Sequence, residues 1–183
     1  MRALEDAGVR WWQVAGPPNM VLCSTPLEVA AAVERAAAAG RLAVLCVFSE
    51  GCYACRTLAP KLRQIAEAHA DAVTFVKVNG TAPAGGDQES GGNGNGGSGN
   101  GGGGDSDLGA WARSALGVDR LPWFMLYAPG DWEAGRPAAA FTASLRPDKL
   151  AMLRKEIGGA AARVPAASAA AAGQTAAAVA SAR

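Results

Sequence analysis

The chain has 183 residues, half of them apolar, and a formal net charge of +1. That charge is too small, and its basic residues too scattered, for a nucleic-acid-binding face, and no apolar run approaches the roughly twenty residues that cross a bilayer. Residues 80–104, dominated by glycine, and 159–183, dominated by alanine, lack the large side chains a core needs and are expected to be disordered, which leaves one domain of roughly a hundred residues or a little more.

Val21-Leu22-Cys23 is a short apolar run and reads as a first strand. Thr25-Pro26-Leu27-Glu28 then supplies a capping box with proline at the first helical position. Val29, Val33 and Ala36 share one side of that helix, and Gly40 is its natural stop. Leu42 to Phe48 is almost continuously apolar, the pattern of a strand buried on both faces at the centre of a sheet. A helical pattern begins at Cys52. In it Leu58, Leu62, Ile65 and Ala66 oppose Lys61, Arg63, Gln64 and Glu67, and Pro60, inside the helix, is expected to bend it. Val73 to Val78 alternates with Thr74 and Lys77 as the next strand, completing a right-handed parallel unit.

The glycine tract interrupts what would otherwise be a short connection. Lengthening a loop from about five to about twenty-five residues costs only ~1.4 kcal/mol, so a solvated insertion is tolerable. A helix is expected from Asp107 to Leu116, ending at Gly117, followed by a hairpin of Trp123 to Tyr127 with Ala138 to Thr142 around Pro129-Gly130. The last helix is predicted from Pro147 to Ile157, with Leu150, Leu153 and Ile157 on one face and Gly158 as its stop. The order is βαβαβαββα, an α/β fold. The divisions are an N-terminal extension 1–19, a domain 20–158 and a tail 159–183.

Cys52-Tyr53-Ala54-Cys55 places two thiols three residues apart where the central strand gives way to a helix. Residues i and i+3 share a helical face, and the unsatisfied donors of a first turn favour a negative sulfur. Cys52 is therefore the expected nucleophile, accessible, and Cys55 the covered thiol that resolves a mixed disulfide one turn on. The competing reading is a structural or zinc-binding pair, which would need Cys23 or Cys46 to reach the same point. Cys23 and Cys46 lie in apolar runs and are expected to pack in the core. No N-terminal apolar signal is evident, so a reducing compartment with one working pair fits better than a disulfide framework.

Cys52-Tyr53-Ala54-Cys55, Pro60, Lys77 and Leu121-Pro122 together resemble the thioredoxin family over roughly residues 20 to 158. Trp11-Trp12, Pro18-Asn19-Met20, and Gly51 where most thioredoxins carry tryptophan, look more narrowly like the plant and algal atypical Cys/His-rich thioredoxins of the chloroplast. The resemblance implies a thioredoxin fold with a mixed central sheet flanked by helices, and protein-disulfide reductase activity on disulfide-containing protein substrates, 2-Cys peroxiredoxin among them. It further implies a stromal location, with the cytosol as alternative, since residues 1–10 contain Glu5 and Asp6 and little of a basic transit segment. In the family Pro122 would be cis and face the cysteines, leaving the Leu121 backbone free to pair with an extended substrate. Gly51, Tyr53, Ala54, Leu121 and Pro122 are then the substrate-binding residues. Where most thioredoxins hold a buried aspartate, this chain has Cys46, so the usual carboxylate that assists the second cysteine is missing. Only His69 represents histidine.

Cys46 and Lys77 are expected to modulate the pair, Lys77 either by facing the site beneath Cys55 or as the polar side of its strand. His69 is expected to act as a favourable charge at a helix end. Trp11 and Trp12 either pack on the domain or flank a substrate surface. No bound cofactor, metal or membrane is expected, and a monomer is. The alternative from another class is a redox-inactive thioredoxin-fold module that binds peptide in the groove beside Pro122, with the cysteines as a static bridge.

Overall fold

The computed structural model describes residues 10–80 and 108–165. Its elements follow the predicted order: β1 (Met20–Cys23), α1 (Pro26–Ala38), β2 (Leu42–Phe48), α2 (Tyr53–Ala68), β3 (Val73–Asn79), α3 (Leu108–Leu116), β4 (Trp123–Tyr127), β5 (Ala139–Thr142) and α4 (Pro147–Arg163). The sheet has five strands in the order β1-β3-β2-β4-β5. β3 runs parallel to β1 and β2, whereas β4 runs antiparallel to β2 and to β5.

β2 is the central strand, and all seven of its residues are buried. Its alternating side chains explain the unbroken apolar run. Ala43, Leu45 and Val47 join the core beneath α1 and α3 with Val29, Val33, Leu108 and Ala112. Leu42, Val44 and Cys46 point into the opposite core, under α2 and α4, with Leu58, Ile65, Leu153 and Ile157. Each face is thus closed by a helix pair, as a sheet buried on both sides requires.

Local chemistry sets the element ends. The Thr25 hydroxyl accepts the Glu28 N–H at 3.2 Å, and the Glu28 carboxylate accepts the Ser24 N–H at 2.7 Å, so the capping box reaches one residue further back than its simplest form. Gly40, at φ +62°, closes α1: its N–H donates to the Ala37 carbonyl while that of Arg41 donates to Ala36. The N-terminal segment is fastened at Asn19, whose side-chain amide donates to the carbonyls of Ala66 and Val73 at 2.9 and 3.0 Å, tying α2 to β3.

One boundary differs from expectation. α4 does not stop at Gly158 but continues to Arg163, which carries the domain past the predicted edge at 158. Gly158 and Gly159 keep negative φ, and Ala160, 4 % exposed, extends the buried stripe of Leu153 and Ile157 by one more turn. Glycine costs a helix interior only about 1 kcal/mol, which that packing offsets. Residues 10–19 also pack on the domain, through Trp11, Trp12 and Asn19. Residues 1–9, most of the glycine-rich insertion, the predicted helix start at Asp107 and the tail beyond residue 165 lie outside the described residues.

Candidate active site

The loop 49–52 carries the chain from the end of β2 to the start of α2, and Cys52 is the N-cap of that helix. The backbone N–H of Cys55 donates to Cys52 Sγ at 3.1 Å, so an otherwise orphaned helix donor points at this sulfur. Cys52 and Cys55 form a disulfide across a Cα–Cα distance of 5.3 Å. The two sulfurs differ in surroundings. Cys52 is half-buried, whereas Cys55 is 4 % exposed and packs with Trp11, Trp12 and Phe48.

Around the pair, Gly51 and Tyr53 are exposed and Ala54 is half-buried, leaving the Tyr53 ring free at the rim. The Leu121–Pro122 peptide bond is cis. Leu121, half-buried, packs against the cluster that holds Cys55 and Cys52, and Pro122 shares a cavity with Cys55. β4 therefore delivers its N-terminal end to the disulfide, although the two lie far apart in the chain.

Beneath Cys55 lies a cavity of about 30 Å³, room for a water molecule, bordered by Trp11, Trp12, Cys46, Cys55, Lys77 and Pro122 among others. Lys77 on β3 stands in register with Cys46 on β2. Its ammonium donates to the Trp12 carbonyl at 2.6 Å. The tryptophans are strapped down further: Trp11 Nε1 donates to the Glu50 carbonyl at 3.2 Å, and Arg63 donates to the Trp11 carbonyl at 3.4 Å. Trp11 also meets Phe48 with ring centroids 5.2 Å apart, and the Arg10 guanidinium lies over the Trp12 ring. The packing alternative for Trp11 and Trp12 is the one the fold adopts.

Burial pushes the Cys46 thiol up to about 12, with the Lys77 charge opposing, so Cys46 is a neutral thiol. Burial likewise draws the Lys77 ammonium below its usual range; an ionised Cys46 would oppose that and Arg63 adds to it. Cys23, packed under α1, is pushed up to about 11, mainly by burial and then by Glu28. Among the described residues no group of three metal-ligating side chains comes together. His69 is the C-cap of α2, away from the disulfide.

The sequence singled out Cys52, Cys55, Lys77, Cys46, Leu121 and Pro122, and all six converge on one end of the sheet. What it missed is the acceptor for Lys77, a main-chain oxygen on the Trp12 strap. Arg63 was read only as part of a polar helix face, yet it borders the same cavity. The paired tryptophans were the available signal, because two adjacent large rings in an extension need a surface to cover.

No family model matches the sequence. Over 71 residues, 39% of this chain, it is 37% identical to the chloroplastic thioredoxin-like 1-1 protein of rice, and over 76 residues 41% identical to the chloroplastic thioredoxin-like 1-2 protein of Arabidopsis thaliana. The chain spans about a quarter of the length of these curated relatives, 24% and 28%. Among solved structures, thioredoxin f of spinach chloroplast in its short form superposes with a TM-score of 0.51, covering 80% of this chain and 96% of that one at 16% identity. Fold and sequence together make the chain similar to chloroplast thioredoxin-like proteins over part of their length, with the fold of the solved thioredoxins.

Proposed function

We propose that the protein is a thiol–disulfide oxidoreductase that reduces disulfides in protein substrates through Cys52 and Cys55. The observation that carries this reading is the asymmetry of the pair: one reachable sulfur at a helix N-terminus, receiving the Cys55 N–H, bonded to a partner that solvent scarcely touches. In the reduced form the Cys52 thiolate attacks a substrate disulfide, forming a mixed disulfide and releasing one substrate thiolate. Cys55 then attacks Cys52 Sγ and releases the second. The substrate gains two electrons and the Cys52–Cys55 bond is restored.

Tyr53 at the rim and the Leu121 main chain beside Pro122 supply an edge on which an extended substrate segment lies, with Gly51 and Ala54 keeping the approach to Cys52 open. The exchange itself requires no bound cofactor. By resemblance 2-Cys peroxiredoxin is the first substrate to try, and a monomeric stromal protein is the working assumption, since the curated relatives are chloroplastic.

Insulin reduction under dithiothreitol tests the activity. Wild type should accelerate precipitation and Cys52→Ser should not. Equal rates for both would leave a peptide-binding module with a static bridge as the surviving reading. Cys55→Ser should retain substrates as mixed disulfides, and these, released by reductant, identify the clients.

A further inference from the structure

Cys55 belongs to neither of the two large cores that close the faces of the sheet. Its burial is supplied by a small separate cluster whose other buried members are Trp11, Trp12 and Phe48, so two of the three come from the N-terminal extension. The residues beside the dithiol offer no such cover. Gly51 carries no side chain, and a Cβ built there would meet nothing within 4 Å, while Tyr53 is 79 % exposed. The extension is fastened to the domain at several points. Arg63 of α2 and Lys77 of β3 donate to the main-chain oxygens of Trp11 and Trp12, at 3.4 and 2.6 Å, and the Trp11 indole N–H donates to the Glu50 carbonyl at 3.2 Å. Asn19 anchors its far end on Ala66 and Val73. Both rings are thereby held inward, 9 % and 8 % exposed, and Cys55, in the same cluster, is 4 % exposed.

We infer that the Trp11–Trp12 strap decides which sulfur meets a substrate: it closes Cys55 to every disulfide except the one that Cys52 has itself formed. This deepens the oxidoreductase reading and rests on it. An uncovered Cys55 thiolate could attack a substrate disulfide directly, forming a Cys55–substrate bond and expelling one substrate thiolate; Cys52 would then attack Cys55 Sγ and expel the second. Atoms and electrons balance as well in that order as in the first, so the chemistry alone does not forbid it. Access does. With the strap in place, every mixed disulfide stands on the outer sulfur, where Cys55 can release it from within.

The test reads access at Cys55 without turnover. In the reduced full chain carrying Cys52→Ser, modification of Cys55 and Cys23 is timed by peptide mass spectrometry, with iodoacetamide as the small reagent and a maleimide bearing a polyethylene glycol chain as the bulky one. Trp11→Ala with Trp12→Ala keeps the main-chain oxygens that Arg63 and Lys77 hold, and should speed Cys55 modification at least about tenfold, the bulky reagent gaining more than the small one. A change in acidity scales both reagents alike through the thiolate fraction, so the ratio of the two rates reports cover alone. Cys23, in the core on the other face of the sheet, should keep its rate. The milder Trp11→Leu should give a smaller rise of the same kind, and serves if the double variant does not fold. The loosened protein should also form a Cys55-linked mixed disulfide with insulin, which Cys52→Ser alone should not. An unchanged Cys55 rate in a variant with wild-type far-ultraviolet circular dichroism overturns the inference, as does a Cys23 rate raised by the same factor, or rapid modification of Cys55 with the strap intact. Failure of wild type to reduce insulin would instead overturn the oxidoreductase reading, and the modification rates, which need no turnover, distinguish the two.

Discussion

The chain carries two pairs of cysteines with opposite fates. Cys52 and Cys55 sit at a helix start, where a backbone donor is directed at the Cys52 sulfur, a setting that favours negative sulfur. Cys23 and Cys46 are side chains of strands, closed in by helices, and burial drives their acidity the other way, to about 11 and about 12. The residue type is identical, so surroundings decide which sulfur reacts. Cys46 stands between the two regimes, chemically inert yet placed at the border of the working cavity.

Removing the reactive member tests the contrast most severely. Cys52→Ser should bring insulin reduction to the uncatalysed dithiothreitol rate, whereas Cys23→Ala should keep wild-type turnover at some cost in stability, as the two assays and a urea melt would report. Alkylation sharpens it: in the native reduced protein near neutral pH, iodoacetamide should modify Cys52 at least about 100-fold faster than Cys23 or Cys46, by peptide mass spectrometry. Comparable rates would break the distinction.

The mildest expectation concerns alkaline pH. The Cys46 thiol titrates higher folded, at about 12, than unfolded, at 9.0, so its contribution to stability is complete below pH 9 and is lost as pH rises toward 12. Cys23 and Tyr127, raised to about 11 and about 12, add the same sign. The lowered Lys77 has the opposite sign, since deprotonation relieves it. Unfolding free energies from urea melts should therefore fall above pH 9, by up to about 1.4 kcal/mol per pH unit for Cys46 alone, and Cys46→Ala should flatten that slope.

Much of the architecture was readable because it is written locally. The run Leu42 to Phe48, the Thr25 cap and the Gly40 and Gly117 stops each depend on a few adjacent residues, and the helix start at Cys52 fixes the dithiol. The end of α4 was not readable, because Gly158 is a stop only if nothing beyond it packs, and Ala160 does. The Lys77 environment was legible by half. Alternation placed it on a polar side, but its partner is 65 residues away on the strap, and no periodicity encodes a main-chain acceptor. That Arg63 shares the cavity depends on the rotation of α2 over the sheet, which the amphipathic pattern fixes only approximately.

Gly80 and Gly109 touch backbone to backbone: a Cβ placed on Gly109 would lie 2.6 Å from the Gly80 carbonyl oxygen. The chain thus leaves the domain and re-enters it through the same doorway. Whatever is spliced between those two glycines need span almost no distance, so the junction is a ready socket for tags, sensors or shortened linkers, at the pole of the sheet where β3 ends.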